Sequence, residues 1–204
     1  MNRRNYQKEL DHIIEEKQQK QEVPTLFLHA CCAPCSSYCL EYLSQFFAIT
    51  VFYYNPNISP KEEYVRRTEE LRRFASEVTF THPVKILVGA YEPMRFYEAV
   101  RGLEDEPEGG ERCTECFKLR LSKAVSEADA RGFDYVTTTL TISPLKDVER
   151  LNRIGEALCE HTNVTWLPSD FKKKNGYLRS IELSKEHDLY RQDYCGCIFS
   201  KKKA

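Results

Sequence analysis

The chain has 204 residues, 41% hydrophobic and 30% charged, with a formal net charge of −1. That length fits one large domain that buries a core without disulfide or metal staples, and a net charge near zero means that nucleic acid can be held only by a local basic patch. The polar start, Met1-Asn2-Arg3-Arg4-Asn5, has no apolar signal region, and no run approaches a membrane span, so a cytoplasmic protein with no membrane partner is expected.

Residues 1–22 carry Tyr6, Leu10, Ile13 and Ile14 at helical spacing, which predicts an N-terminal helical extension with one thin apolar stripe. From residue 23 to 204 we expect a single α/β domain. Thr25–Ala30 reads as a buried strand, and a helix face through Ser36, Leu40, Leu43 and Phe47 follows. Ile49–Tyr54 is a second strand, rich in β-branched and aromatic residues. After the turn Asn55-Pro56-Asn57, Ser59-Pro60-Lys61-Glu62 reads as an N-cap, a first-turn proline and a capping-box Glu. The helix beyond it places Tyr64, Thr68, Leu71 and Ala75 on one face.

Val84–Tyr91 predicts a third strand, Pro93–Arg101 a short helix, and residues 104–110 an acidic loop. Cys113 and Cys116 then stand at the start of a helix with Phe117, Leu121, Ala124, Val125 and Ala128 inward. Phe133–Leu140 is a fourth strand. Ser143-Pro144 is expected to cap a helix with Leu151, Ile154, Gly155 and Leu158 inward. Val164–Leu167 is a fifth strand, and a helix over Gly176–His187 precedes Tyr194-Cys195-Gly196-Cys197. Strands alternating with helices imply a parallel sheet of about five strands with helices on both faces.

Nine cysteines are the strongest chemical signal. In a reducing compartment they read as metal ligands or redox thiols before disulfides. Seven fall in three groups at predicted loop ends: Cys31, Cys32 and Cys35; Cys113 and Cys116; Cys195 and Cys197. Two groups open helices, where free N–H groups and the helix dipole favour thiolate, and Gly196 lets Cys195 and Cys197 bend around one ion. Cys39 and Cys159 stand beside leucines and read as small hydrophobes. Four thiolates would suit zinc, whereas seven suit an iron–sulfur cluster with thiolates to spare for a second site. A thioredoxin-like dithiol at Cys32-Ala33-Pro34-Cys35 would leave Cys31 and both distant pairs unexplained.

Around this set, Asn55 and Asn57 follow a strand and could line the site, although an ordinary turn accounts for them as well. Thr139, Ser143 and Lys146 end another strand on the same edge and could hold an anionic or sugar group. Phe171 with Lys172, Lys173 and Lys174 joins an aromatic to cations, as base stacking and phosphate contacts need; a solvated loop around a core Phe171 is the competing reading. His29 is read as a satisfied core residue in preference to a ligand. No Walker motif and no G-x-G-x-x-G is present.

Leu28-His29-Ala30-Cys31-Cys32-Ala33-Pro34-Cys35-Ser36, Tyr53-Tyr54-Asn55-Pro56-Asn57-Ile58, Glu63-Tyr64, Arg112-Cys113-Thr114-Glu115-Cys116, Thr138 through Pro144 and Tyr194-Cys195-Gly196-Cys197 together resemble the QueH-type epoxyqueuosine reductases. The resemblance runs from about Pro24 to Cys197. It implies an adenine-nucleotide hydrolase-like (HUP-like) fold, a 4Fe–4S cluster, and reduction of epoxyqueuosine to queuosine at the tRNA wobble position, the last step of queuosine biosynthesis. Family members with Asp in place of Cys35 leave Cys35 open as a ligand of a second, mononuclear iron. The D-x-H-x-x-G of cobalamin-dependent reductases is absent, so the chemistry is expected to be cobalamin-independent.

Two helix N-termini on one sheet edge lead us to expect Cys31, Cys32, Cys113 and Cys116 as cluster ligands, with Cys35, Cys195 and Cys197 at a second metal position. Tyr38, Tyr54 or Glu63 is expected as proton donor. With no nicotinamide motif, electrons should come from a ferredoxin- or flavodoxin-type donor. The competing functions are iron–sulfur-dependent tRNA thiolation, which would normally need ATP and a phosphate loop this chain lacks, and a non-catalytic zinc-stabilised RNA-binding module.

Overall fold

The computed structural model describes residues 4–201. Five strands, β1 (Thr25–Ala30), β2 (Ala48–Tyr53), β3 (Val84–Val88), β4 (Tyr135–Thr138) and β5 (Thr165–Trp166), form one parallel sheet in the order β3-β2-β1-β4-β5. The helices are α1 (Tyr6–Gln19), α2 (Ala33–Leu43), α3 (Lys61–Glu77), α4 (Pro93–Ala99), α5 (Glu111–Ala130), α6 (Val148–Cys159) and α7 (Gly176–Glu186). The parallel α/β class and the N-terminal helix are as the sequence led us to expect.

Alternation along β1 creates two cores. Leu26, Leu28 and Ala30 point to one face and pack with residues of α1, α2 and α3; Phe27 points to the other and packs under α5 and α6. Both faces being covered, β1 and β2 are largely apolar on both sides. Helix α1 contributes Leu10 and Ile14 to the first core. On the second face, α6 lies so close to β5 that a Cβ on Gly155 would sit 2.2 Å from the Trp166 ring.

Several expected boundaries move, each for a local reason. β3 ends at Val88 and β5 is two residues long. β4 stops at Thr138, whose hydroxyl accepts from the Leu140 N–H at 3.2 Å and starts a 3₁₀ turn, Thr139–Ile142. Ser143 does not cap α6. Asp147 does, accepting from the Arg150 N–H at 3.0 Å. Ser59 does not cap α3 either: its N–H donates to the Gly196 carbonyl at 2.9 Å and its carbonyl accepts from the Tyr194 hydroxyl at 2.7 Å. That backbone is occupied by the returning C-terminus.

The strand order reverses between β1 and β4, since β2 and β3 lie to one side and β5 to the other. The loops leaving β1 and β4 therefore diverge and open a crevice at the C-terminal edge of the sheet, where open α/β sheets bind ligands.

Candidate metal centre

The first loop into that crevice carries Cys31 and Cys32, and Cys35 follows in the first turn of α2. Their sulfurs lie within 4.8 Å of one another, and those of Cys31 and Cys32 are 3.7 Å apart. Hydrogen bonds from the Cys32 and Cys35 thiols hold the Cys31 pKa well below its ordinary value, while both neighbours are pushed up. One thiolate is thus favoured in this triad before any ion arrives.

Cys113 and Cys116 lie in the first two turns of α5, and the Gly109 N–H donates to the Cys113 sulfur at 3.2 Å. Cys195 and Cys197 reach the same place on the C-terminal strap that follows α7. These four cysteines line one small cavity with Phe96, Arg112 and Phe117. The geometry thus places Cys195 and Cys197 beside Cys113 and Cys116, and Cys35 beside Cys31 and Cys32. Phe117 packs in one cluster with Cys31 and Cys32, with Cys35 and Cys113 against it, so the two groups adjoin.

The strap is held by α3. Arg67, 1% exposed, donates to the Tyr194 and Cys195 carbonyls at 3.3 Å each and to Glu63 at 2.6 Å. The Glu63 carboxylate also accepts from the Tyr190 hydroxyl at 3.1 Å. Gly196 has φ of +102°, and a Cβ there would lie 2.8 Å from Ile58. Only glycine meets both conditions.

Two cations direct N–H groups at the thiols. Arg120, fully buried on α5, donates to Asn55 Oδ1 at 2.6 Å and points a second nitrogen at the Cys116 sulfur, 3.9 Å away. The Lys146 ammonium is 3.4 Å from the Cys195 sulfur. Burial lowers both pKa values, but the sulfurs around them, Cys116, Cys31 and Cys195 for Arg120 and Cys195 and Cys31 for Lys146, leave both above their ordinary values, while burial pushes the Cys116 thiol itself up to about 12. The Gln192 amide on the strap donates to the Cys32 sulfur at 2.9 Å. Soft thiol donors gathered from two helix starts and a clamped strap, with N–H groups aimed at the sulfurs, fit a metal–sulfur group.

The other expected site residues divide. Asn55 is structural: its amide donates to the Ala30 carbonyl at 2.9 Å and its oxygen takes Arg120. Asn57 and Thr139 are buried, and the Asn57 amide and the Thr139 hydroxyl have no partner among the described residues. Ser143 is half-buried and accepts from the Leu145 N–H. Thr137 and Thr141 bond Ser169 instead of facing a ligand. His29 is a satisfied core residue, bonded to Thr138 Oγ1 at 2.8 Å and to the Tyr54 carbonyl at 3.2 Å, and burial pushes its pKa down to about 3.

Of the three expected proton donors, Tyr54 and Glu63 are engaged elsewhere, and Tyr38 is held by ring packing. Tyr38 packs parallel to Tyr42 and against the start of α7, where a Cβ on Gly176 would strike its ring. The Tyr54 hydroxyl donates to Glu92 at 3.1 Å, with its ring stacked on Phe52. Glu63 is spent on Arg67 and Tyr190.

Phe171 also departs from the expected base-stacking role, being 0% exposed within the first core. Lys172 donates to the Thr141 carbonyl and pairs with Asp170, and Lys174 pairs with Asp11; Lys173 alone of the three is exposed with no ion pair among the described residues. Phe171→Ala is therefore expected to cost about 3–5 kcal/mol of stability, read as a fall in thermal midpoint. A parent-like midpoint together with weakened RNA binding would restore the stacking role.

Arg120, Gln192 and Arg67 were not singled out in the sequence. Arg120 left a signal: it lies four residues after Cys116 on the buried face of Phe117, Leu121 and Ala124, where a cation needs an explanation. Gln192, in an aperiodic strap, left none.

The family model described as "Epoxyqueuosine reductase QueH" matches residues 26–203. Proteins named epoxyqueuosine reductase QueH are similar across nearly the whole chain. The one from Streptococcus pyogenes serotype M1 is 44% identical over 97% of this chain and 78% of its own. That of Staphylococcus epidermidis is 42% identical over 98% and 85%, and that of Thermotoga maritima 35% identical over 86% and 90%. With its thiols gathered at the switch point of a parallel sheet, this chain belongs to the QueH family of epoxyqueuosine reductases.

Proposed function

We propose that this chain is an iron–sulfur oxidoreductase that reduces epoxyqueuosine at the tRNA wobble position to queuosine, in the cytoplasm and without cobalamin. The observation that carries the reading is the pair of adjoining thiol groups, three cysteines and four, at the C-terminal edge of the sheet in a member of this family. Neither competing function accounts for it as well: seven thiols exceed the needs of one structural zinc, and the loop after β1 presents cysteines where an ATP-dependent thiolation enzyme needs a phosphate cradle.

Opening the epoxide to an alkene breaks both C–O bonds, consumes two electrons and two protons, and releases one water. Bound at the thiols, a 4Fe–4S cluster would supply the electron transfer that no side chain offers. The two adjoining thiol groups, Cys31, Cys32 and Cys35 beside Cys113, Cys116, Cys195 and Cys197, would together hold it and a second iron; the expected partition, Cys31, Cys32, Cys113 and Cys116 on the cluster and Cys35, Cys195 and Cys197 on the second iron, draws on both groups. An external ferredoxin- or flavodoxin-type donor would supply the electrons. This chain's own residues do the rest. Arg67 and Glu63 fix the strap, Arg120 and Asn55 brace α5 against the β1 loop, and the buried, unpartnered polar atoms of Asn57 and Thr139 would offer hydrogen bonds to the modified base once uncovered.

The test is anaerobic purification with iron and sulfide analysis, paired with turnover of epoxyqueuosine-containing tRNA without ATP. A colourless protein binding only zinc, or strict ATP dependence, would refute the reading. Cys39, fully buried, and Cys159 on α6 are expected to be structural. Replacing either by Ala should leave iron and activity near parental at a cost of roughly 1 kcal/mol. An iron-free Cys39→Ala protein would place that thiol at the centre instead.

A further inference from the structure

Several cations of this chain pair with a carboxylate, among them Arg67 with Glu63, Arg73 with Glu70 and Lys174 with Asp11, and the buried Arg112 donates to the Leu103, Glu104 and Glu106 carbonyls. Arg120 and Lys146 do neither. Among the described residues, the side-chain partners of Arg120 are the Asn55 amide oxygen and the Cys116 sulfur, and its Nε has none. The Lys146 ammonium has the Cys195 sulfur, with the Phe117 ring 5.9 Å away. A guanidinium that is 1% exposed and lacks a carboxylate is costly unless another anion offsets it. The groups at hand that can carry that charge are sulfurs.

The two cations come from separate elements, Arg120 from α5 and Lys146 from the loop between β4 and α6, and approach the thiols at different points. The Gln192 amide and the Gly109 N–H add a neutral donor each, to Cys32 and Cys113. Four different sulfurs thus each have one N–H donor, two of them charged.

We propose that Arg120 and Lys146 are positioning residues that serve as the fixed counter-cations of the thiolate centre, holding its metal and raising its reduction potential. The proposal rests on the metal–thiolate reading above. A reduced cluster carries more negative charge than an oxidised one, so a fixed positive charge and N–H···S bonds favour reduction. Removing the charge should move the midpoint potential to more negative values and loosen the metal. Keeping the charge with a different side chain should restore part of both.

The experiment compares the parent with Lys146→Met, Lys146→Arg, Arg120→Met and Arg120→Lys, each as the full chain. After anaerobic reconstitution, spectroelectrochemical titration should give more negative potentials for both Met variants, with intermediate values for Arg at 146 and Lys at 120. Cobalt(II) titration of the metal-free chains, followed by the thiolate-to-cobalt absorption band, should show affinity reduced by roughly 10–100-fold in the Met variants. Arg120→Met also removes the brace to Asn55, so Lys146→Met carries the decision alone where that variant does not fold. Parental potential and cobalt affinity in Lys146→Met would overturn the proposal. If the parent takes up no iron–sulfur cluster yet the cobalt affinities fall as stated, the cluster reading fails and the counter-cation role stands.

Discussion

Cys113→Ala is expected to lose most of its iron and all epoxyqueuosine reduction, whereas Cys195→Ala and Cys197→Ala keep most of the iron and lose turnover. Cys113 and Cys116 sit in a long helix packed on the sheet, and Cys31 and Cys32 on the loop from the central strand, so all four are placed by the core itself. Cys195 and Cys197 ride on a strap fixed by side chains of α3. A cluster built on core-anchored ligands should survive loss of a strap thiol. Because Cys113, Cys116, Cys195 and Cys197 line one cavity, the opposite result has a clear meaning. Iron-free Cys195→Ala protein with iron-replete Cys31→Ala protein would move the cluster to those four cysteines and leave Cys31, Cys32 and Cys35 for the second metal.

Arg67→Met should be as destabilising as loss of the buried Phe171 ring. Its guanidinium neutralises Glu63, caps two strap carbonyls and lies over the Tyr194 ring. Removing it leaves a mostly buried carboxylate and two carbonyls short of partners, at a cost of about 3–5 kcal/mol. Below the melting transition, the strap should become sensitive to protease beyond α7, and turnover should fall as in Cys195→Ala while iron is retained. Arg67→Lys should recover only part, since an ammonium cannot serve a carboxylate and two carbonyls in one plane. Parental protease resistance and turnover in Arg67→Met would show that the strap is held by other contacts.

The sequence by itself determined the layers and where the chemistry sits. Period-two and period-3.6 patterns are local, so Leu26-Phe27-Leu28 announces a strand buried on both faces, and Phe117, Leu121, Ala124 and Ala128 announce one side of a helix. Cysteine groups at the ends of such elements must fall on one edge of a parallel sheet, and that edge was legible. Only the tertiary structure decided which thiols are neighbours, because Cys113 and Cys195 meet through a strap with no periodicity, routed by single bonds from Arg67, Glu63 and Tyr194. It also decided the roles of Glu63, Tyr54 and Phe171. A carboxylate, a phenol or an aromatic ring beside a motif looks functional in one dimension, but its role is fixed by which distant group occupies its polar atom or covers its ring. For these three the occupants are Arg67, Glu92 and the first core.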